Sequence, residues 1–344
     1  MKHKIALYAV VAVLVLIVLA VGGGLLKMGQ QGQGPLAGLA TDTLTSTLTP
    51  TLTPTPTLTS TPTPTKTLTP TATFTPTPGI GSTWERPADK IVMVYVPEGN
   101  FSMGMDVNVT QGICQRFFNF CSRRYFSSEE PVHTVFLDAY WIDQTEVTNG
   151  MYALCVQAGN CQPPHDLNYY DNSIVTRVPD ANYPATNVTL YDAQTYCEWA
   201  DARLPSEAEW EKAARGTNAY VYPWGNNDPT CNLANLNPYG KYPYSQFACV
   251  GDISAVGLYP SGASPYGVLD MAGNVWEWVA DWYSETYYSQ SPSSNPTGPA
   301  SGQYRVVRGG AWWVNVSGVR SAYRYKVEPD YWEIGLGFRC VLSP

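Results

Sequence analysis

Hydrophobic and polar positions divide the chain into regions with different rules. Residues 5–26 (IALYAVVAVLVLIVLAVGGGLL) are an uncharged apolar run, long enough at ~1.5 Å per residue to cross a hydrocarbon core of about 30 Å. The run predicts a single-pass anchor, with a cleaved signal sequence as the alternative because Lys2 and Lys4 precede it. The same lysines bias residues 1–4 to the cytoplasm and everything after Lys27 to the outside. Further on, IVMVYVPEGNFSMG (91–104) and VHTVFLDAYWIDQTEVT (132–148) alternate apolar and polar side chains before turn residues, the period of antiparallel strands.

Three helices announce themselves by their first residues. Thr148 precedes a segment with Tyr152, Cys155 and Val156 on one face and Gly159 at its end. Thr189 precedes LYDAQTYCEWADA, where Ala193, Tyr196, Cys197 and Ala200 recur at helical spacing. Ser206 and Glu209 form a capping box for a third helix ending at Gly216. Beyond it the chain is rich in Gly, Pro, Asn and Tyr with few regular runs, so the fold class is α+β with much irregular backbone.

Composition separates these elements from what precedes them. Residues 27–84 are dominated by Thr and Pro and are too poor in large side chains to bury a core, which predicts a disordered, extended linker. Residues 85–344 are long enough for one sizeable core. Four of the 20 basic and one of the 28 acidic residues precede residue 85, leaving this part at −11. That charge argues against nucleic acid as a partner and suits divalent cations.

All eight cysteines lie in this part, an even number in what the anchor implies is an oxidising compartment. Of the 105 possible pairings, proximity favours Cys114 with Cys121, inside a loop, and Cys155 with Cys161, at a helix end. Cys231 and Cys249 bracket an irregular segment and make a third pair, leaving Cys197 and Cys340.

Several strings occur in order: MVYVPEGNFSMG, EVTNGMY, YPATNVTLYDAQTYCEWADARLPSEAEWEKAARG, YPWGN, SPYGVLDMAGNVWEWVADWY, RVVRGGAWW and a terminal GLGFRC. Their succession resembles the formylglycine-generating enzyme (sulfatase-modifying factor) family over nearly all of residues 90–342. The resemblance implies a variant of the C-type lectin fold, low in regular secondary structure. It also implies a Cys197–Cys340 bridge.

In the family's copper(I) oxidases two cysteines follow the RGGS-type string, and soft thiolates suit that ion. The corresponding positions here are Val314 and Val319, while Ala311 and Gly335 stand where the family has Ser and Asn. The resemblance therefore implies no copper and disfavours the oxidase chemistry. Trp276, which flanks that site in the enzymes, is retained. Family members that use iron need three histidines, and outside the N-terminus only His133 and His165 are present.

The family's structural calcium ion maps onto Asp270, Gly273, Val275 and Glu277, and a second onto Asn235 and Leu236, with Asp252 the nearest further carboxylate. Trp313, Tyr323, Tyr325, Tyr331 and Trp332 crowd the stretch that lines the family's groove, and large rigid rings supply contact area at low entropic cost. The expected protein is thus a membrane-anchored extracellular binding or accessory module whose partner is a glycan or a protein. Its rival is an oxidase acting on exported proteins.

Overall fold

Hydroxyls begin the central helices because a first turn leaves four amides unpaired and a side-chain oxygen can take one of them. Thr148 accepts from Met151 at the start of α2 (Asn149–Gln157), Thr189 from Asp192 at the start of α3 (Leu190–Trp199), and Ser206 from Glu209 at the start of α4 (Glu207–Arg215). In α3 and α4 the third residue returns the bond to the cap amide, completing capping boxes. A computed structural model describes residues 78–165 and 180–343. The apolar run at 5–26 and nearly all of the Thr/Pro segment lie outside those residues. No helix among the described residues is long and apolar enough to cross a membrane.

The two alternating segments form strands as expected. β1 (Thr83–Glu85), β2 (Val92–Val96), β5 (Tyr140–Asp143) and β10 (Val341–Leu342) make one sheet in the order β1-β2-β5-β10. Val94 sits opposite Ile142, and Ile142 opposite Val341, so the apolar positions share a face. β3 (Gly99–Met103) and β4 (His133–Leu137) pair separately, Phe101 opposite Val135. β1 begins at Thr83, two residues before the boundary expected at 85.

Three features depart from expectation. Cys114 lies within a helix, α1 (Val107–Phe117), capped by Asp106, and only Cys121 is in a loop. A third sheet also forms in the region read as irregular. There β6 (Trp276–Trp282) pairs antiparallel with β7 (Arg305–Arg308) and parallel with β9 (Leu336–Phe338), while β8 (Tyr325–Val327) flanks β7. Both faces of β6 are covered, which removes the alternation that reveals a half-buried strand.

The third departure is α4, in which every residue is buried although five of its nine side chains are charged. Each charge is matched. Glu207 accepts from Arg324, Glu209 from Arg203, and Glu211 from both Arg215 and Arg308, while Lys212 donates to the carbonyls of Pro97 and Gly99. Another such pair, Arg320 with Glu129, lies beside it. Buried charge is tolerated only when paired and hydrogen-bonded.

Asp281, at the far end of β6, is the exception. It accepts the Glu207 amide at 2.9 Å but has no paired cation among the described residues, and burial together with the Glu207 carboxylate pushes its carboxyl up to about 8. The folded chain then holds a proton that the unfolded chain releases near the ordinary value, ~3.9. Its contribution to stability is complete below that value and is lost as pH rises through about 8. We expect urea midpoints to fall between pH 4 and 8, and Asp281→Asn to flatten that slope. An unchanged slope in the variant would assign the dependence elsewhere.

Candidate functional site

The four disulfides join Cys114 to Cys121, Cys155 to Cys161, Cys197 to Cys340 and Cys231 to Cys249, and no cysteine is free. The Cys197–Cys340 bridge ties α3 to the turn between β9 and β10, so the C-terminal strands are held against the helices. The loops after β7 and β8 thereby meet over the edge of the third sheet.

There a groove of about 470 Å³ is lined by Trp276, Trp313, Val314, Tyr325, Val327, Glu328, Tyr331 and Glu333. Trp276 stacks on Tyr325 at 5.4 Å. Tyr331 donates to Glu333 Oε2 at 3.0 Å, and burial raises the Glu333 carboxyl above the usual carboxylate range. Tyr325 and Tyr331 are 47% and 43% exposed.

Gly335 shapes this groove. A Cβ at that position would lie 1.9 Å from the Trp313 ring, so the indole rests directly on glycine backbone and any larger residue must push it away. Val314 and Val319 converge behind it: a Cβ on Gly310 would meet Cγ1 of Val319 at 2.8 Å and of Val314 at 3.4 Å. Val319 is fully buried and Val314 faces the groove. These positions carry hydrocarbon, which ligates nothing.

Of the five aromatic residues expected to bind, Trp313, Tyr325 and Tyr331 line the groove and two do not. Tyr323 is half-buried, packed beside Trp276 at 6.1 Å and under Arg320. Trp332 turns aside to stack on His165 at 5.3 Å, nearly parallel. Trp312 is half-exposed and packs edge-on against Trp313. Glu328 and Glu333 were missed, because isolated charges in a loop read as solvated. His133 packs on Tyr288 and neither histidine lines the groove.

A second cavity of about 430 Å³ contains Asp138, Glu198, Arg203, Glu209 and Asp281. Its polar groups largely satisfy one another: Arg203 pairs with Glu209, Asn295 donates to Asp138, and Asp281 accepts from backbone. That cavity is a seam of the fold rather than an open binding face.

The residues expected to hold calcium fit a cation unevenly. Glu277 has both oxygens engaged, accepting from Arg339 at 2.7 Å on each and from Trp210 at 2.8 Å. Among the described residues no group of three or more His, Cys, Asp or Glu side chains is arranged to hold a metal. Asp270, however, faces Glu146, whose carboxyl is pushed well above its usual range by burial and by Asp270 beside it. Glu146 Oε2 and Asn235 Oδ1 are buried with no hydrogen-bond partner among the described residues. Asn274 links them, donating to Glu146 and accepting from Asn235. Gly273 permits this approach, since a Cβ there would lie 2.1 Å from the Asn235 carbonyl. Two carboxyls in contact and two orphaned oxygens fit a hard cation better than they fit one another. The Leu236 carbonyl already accepts the Cys249 amide, and Asn235 donates to the Asp252 carbonyl at 2.9 Å.

Residues 82–344 match the Sulfatase-modifying factor enzyme 1-like domain. The chain is 34% identical over 255 residues to the formylglycine-generating enzyme of Streptomyces coelicolor, covering 62% of this chain and 81% of that protein. It is 32% identical to the formylglycine-generating enzyme of Mus musculus, covering 76% of this chain and 78% of that one. Among solved structures, PvdO from Pseudomonas aeruginosa superposes with a TM-score of 0.61 at 25% identity, covering 77% of this chain and 99% of that chain.

Proposed function

The chain belongs to the Sulfatase-modifying factor enzyme 1-like family, and from that premise we propose that it is a ligand-binding member without copper-dependent formylglycine chemistry. The observation that carries this reading is the site's chemistry: valines stand where the resemblance expects the copper-binding cysteines, and all eight cysteines are in disulfides. Copper(I) prefers soft thiolate or thioether ligands. The groove instead offers ring faces and two carboxylates, a surface for an extracellular glycan or protein. Four bridges support an oxidising compartment, and the apolar run at 5–26 would anchor the chain there, with residues 27–84 as its stalk.

The direct test supplies a sulfatase-type CxPxR peptide and copper(I) to the purified chain and looks for formylglycine by mass spectrometry. We expect no product at any copper concentration. Copper-dependent product would overturn the reading.

Calcium is part of the proposal as a fastener for these loops. Glu146, Asp270 and Asn235 would hold it with main-chain carbonyls of Gly273 and Val275, and the ion would supply charge neutralisation in the interior. A ligand bound only by the folded state stabilises it by about 2.7 kcal/mol at a hundredfold excess over Kd. Chelator is therefore expected to lower the melting temperature by several degrees, and Glu146→Gln to abolish that response. A melt indifferent to both would remove calcium from the account.

A further inference from the structure

Residues 85–344 carry a net charge of −11, yet two segments within them have no carboxylate at all. Residues 107–128 hold Arg116, Arg123 and Arg124, and residues 229–251 hold Lys241, with no Asp or Glu in either. A disulfide closes a loop in each, Cys114–Cys121 in the first and Cys231–Cys249 in the second. The two loops meet. A Cβ on Gly240 would lie 3.3 Å from the Phe118 ring, and Arg116 pairs with Asp228, just ahead of the second segment, at 2.7 Å.

Phe118 is the foot of the first loop, packed against the core, whereas its neighbours Phe117 and Phe120 are exposed. Tyr242 and Phe120, one on each loop, are the most exposed large hydrophobic side chains among the described residues, at 81% and 79%. The cations beside them are exposed too, while Arg86, Arg308, Arg320, Arg324 and Arg339 are buried in ion pairs. Arg116 lies 5.8 Å from the Phe117 ring centre and Lys241 5.5 Å from that of Tyr239, so charge and ring share the surface. Arg123 donates to Asn108, and neither Arg124 nor Lys241 has an ion pair among the described residues.

We propose that these two loops dock on the surface of an anionic lipid bilayer, Phe120 and Tyr242 entering the interfacial layer and Arg123, Arg124 and Lys241 pairing with lipid phosphates. The proposal goes beyond the groove and uses none of its residues. Burial of apolar rings and attraction of Lys and Arg to anionic head groups add together at a membrane interface. A small ligand is gripped in a concavity, but Phe120 and Tyr242 line neither the groove nor the second cavity. A phenyl ring that projects from a loop has no hydrogen bond to offer a sugar, and a lipid interface asks for none. Closure by disulfides keeps both loops ordered before docking, which lowers the entropy lost on contact.

The test mixes the full chain with vesicles of phosphatidylcholine, alone or with phosphatidylglycerol, and follows amide hydrogen exchange peptide by peptide. Because the apolar run at 5–26 would itself hold the chain to either vesicle, the readout is local: protection of residues 117–125 and 237–247. We expect exchange there to slow at least fivefold on the anionic vesicles and less than twofold on the zwitterionic ones, with the groove unchanged. Salt at about 1 M, where the Debye length is about 3 Å, should remove most of that difference. Arg123→Gln/Arg124→Gln/Lys241→Gln should abolish the preference for anionic lipid, and Phe120→Ser/Tyr242→Ser should abolish protection on either vesicle. All five side chains are exposed, so each variant should melt within a few degrees of the parent. Equal protection on the two vesicles, none on either, or protection that survives in both variants overturns the proposal. Protection by soluble polygalacturonate but not by vesicles would overturn it in favour of an acidic glycan, and protection that grows with protein concentration without lipid would replace the bilayer by a second copy of this chain.

Discussion

Glu211→Gln is expected to cost about 3–5 kcal/mol of folding stability, the penalty for leaving buried charge without its partner. Glu211 is fully buried on α4 and accepts from the Gly104 amide at 2.7 Å, from Arg215 at 2.8 Å and from Arg308 at 2.6 Å. Burial alone would raise its carboxyl, yet Arg308 and Arg215 hold it below the ordinary carboxylate range. Glutamine keeps the volume and removes the charge, so two buried guanidinium groups lose their common counter-ion. In a domain of this size 1 kcal/mol moves the melting temperature by about 2–4 °C, which places the loss on the order of 10 °C. Exposed Glu98 provides the control, since a surface change of this kind stays within about 0.5 kcal/mol. A Glu211→Gln loss below 1 kcal/mol would mean that the helix is held by packing and not by its ion pairs.

Replacing both Cys197 and Cys340 by alanine should have an effect of similar size for a different reason. The bridge closes a separation of 143 residues, and chain entropy assigns about 5 kcal/mol to a loop of that length. Removing Cys155 and Cys161, only 6 apart, is expected to cost about half as much by the same relation. Denaturant midpoints of the two double variants check the ordering. Equal losses would show that local packing around each sulfur, and not loop closure, sets the stabilisation.

Legibility followed the physics of each signal. Caps were readable because a hydroxyl before an apolar face has few other uses, and α2, α3 and α4 begin where Thr148, Thr189 and Ser206 place them. The burial of α4 was not, since EAEWEKAAR has the charge of a solvated helix and its partners are far away in the chain: Arg308 follows Glu211 by 97 residues. β6 was hidden because WEWVADW is covered on both sides. The α1 helix was hidden by its own disulfide, which makes the Cys114–Cys121 segment read as loop. In the groove the rings were legible as a cluster, but which of them face outward depends on Gly335, through its contact with Trp313, and on His165, which draws Trp332 aside.

The charged interior around α4 also bears on temperature. The free energy lost on stripping water from an ion shrinks as the solution warms, because ion hydration carries a strongly negative entropy, whereas apolar burial per unit area levels off. A core held by Glu207–Arg324, Glu211–Arg308 and Glu129–Arg320 is thus one whose principal penalty recedes on heating. For these pairs warmth relaxes the penalty of burial, and the cold end of the stability curve is where that penalty weighs most heavily.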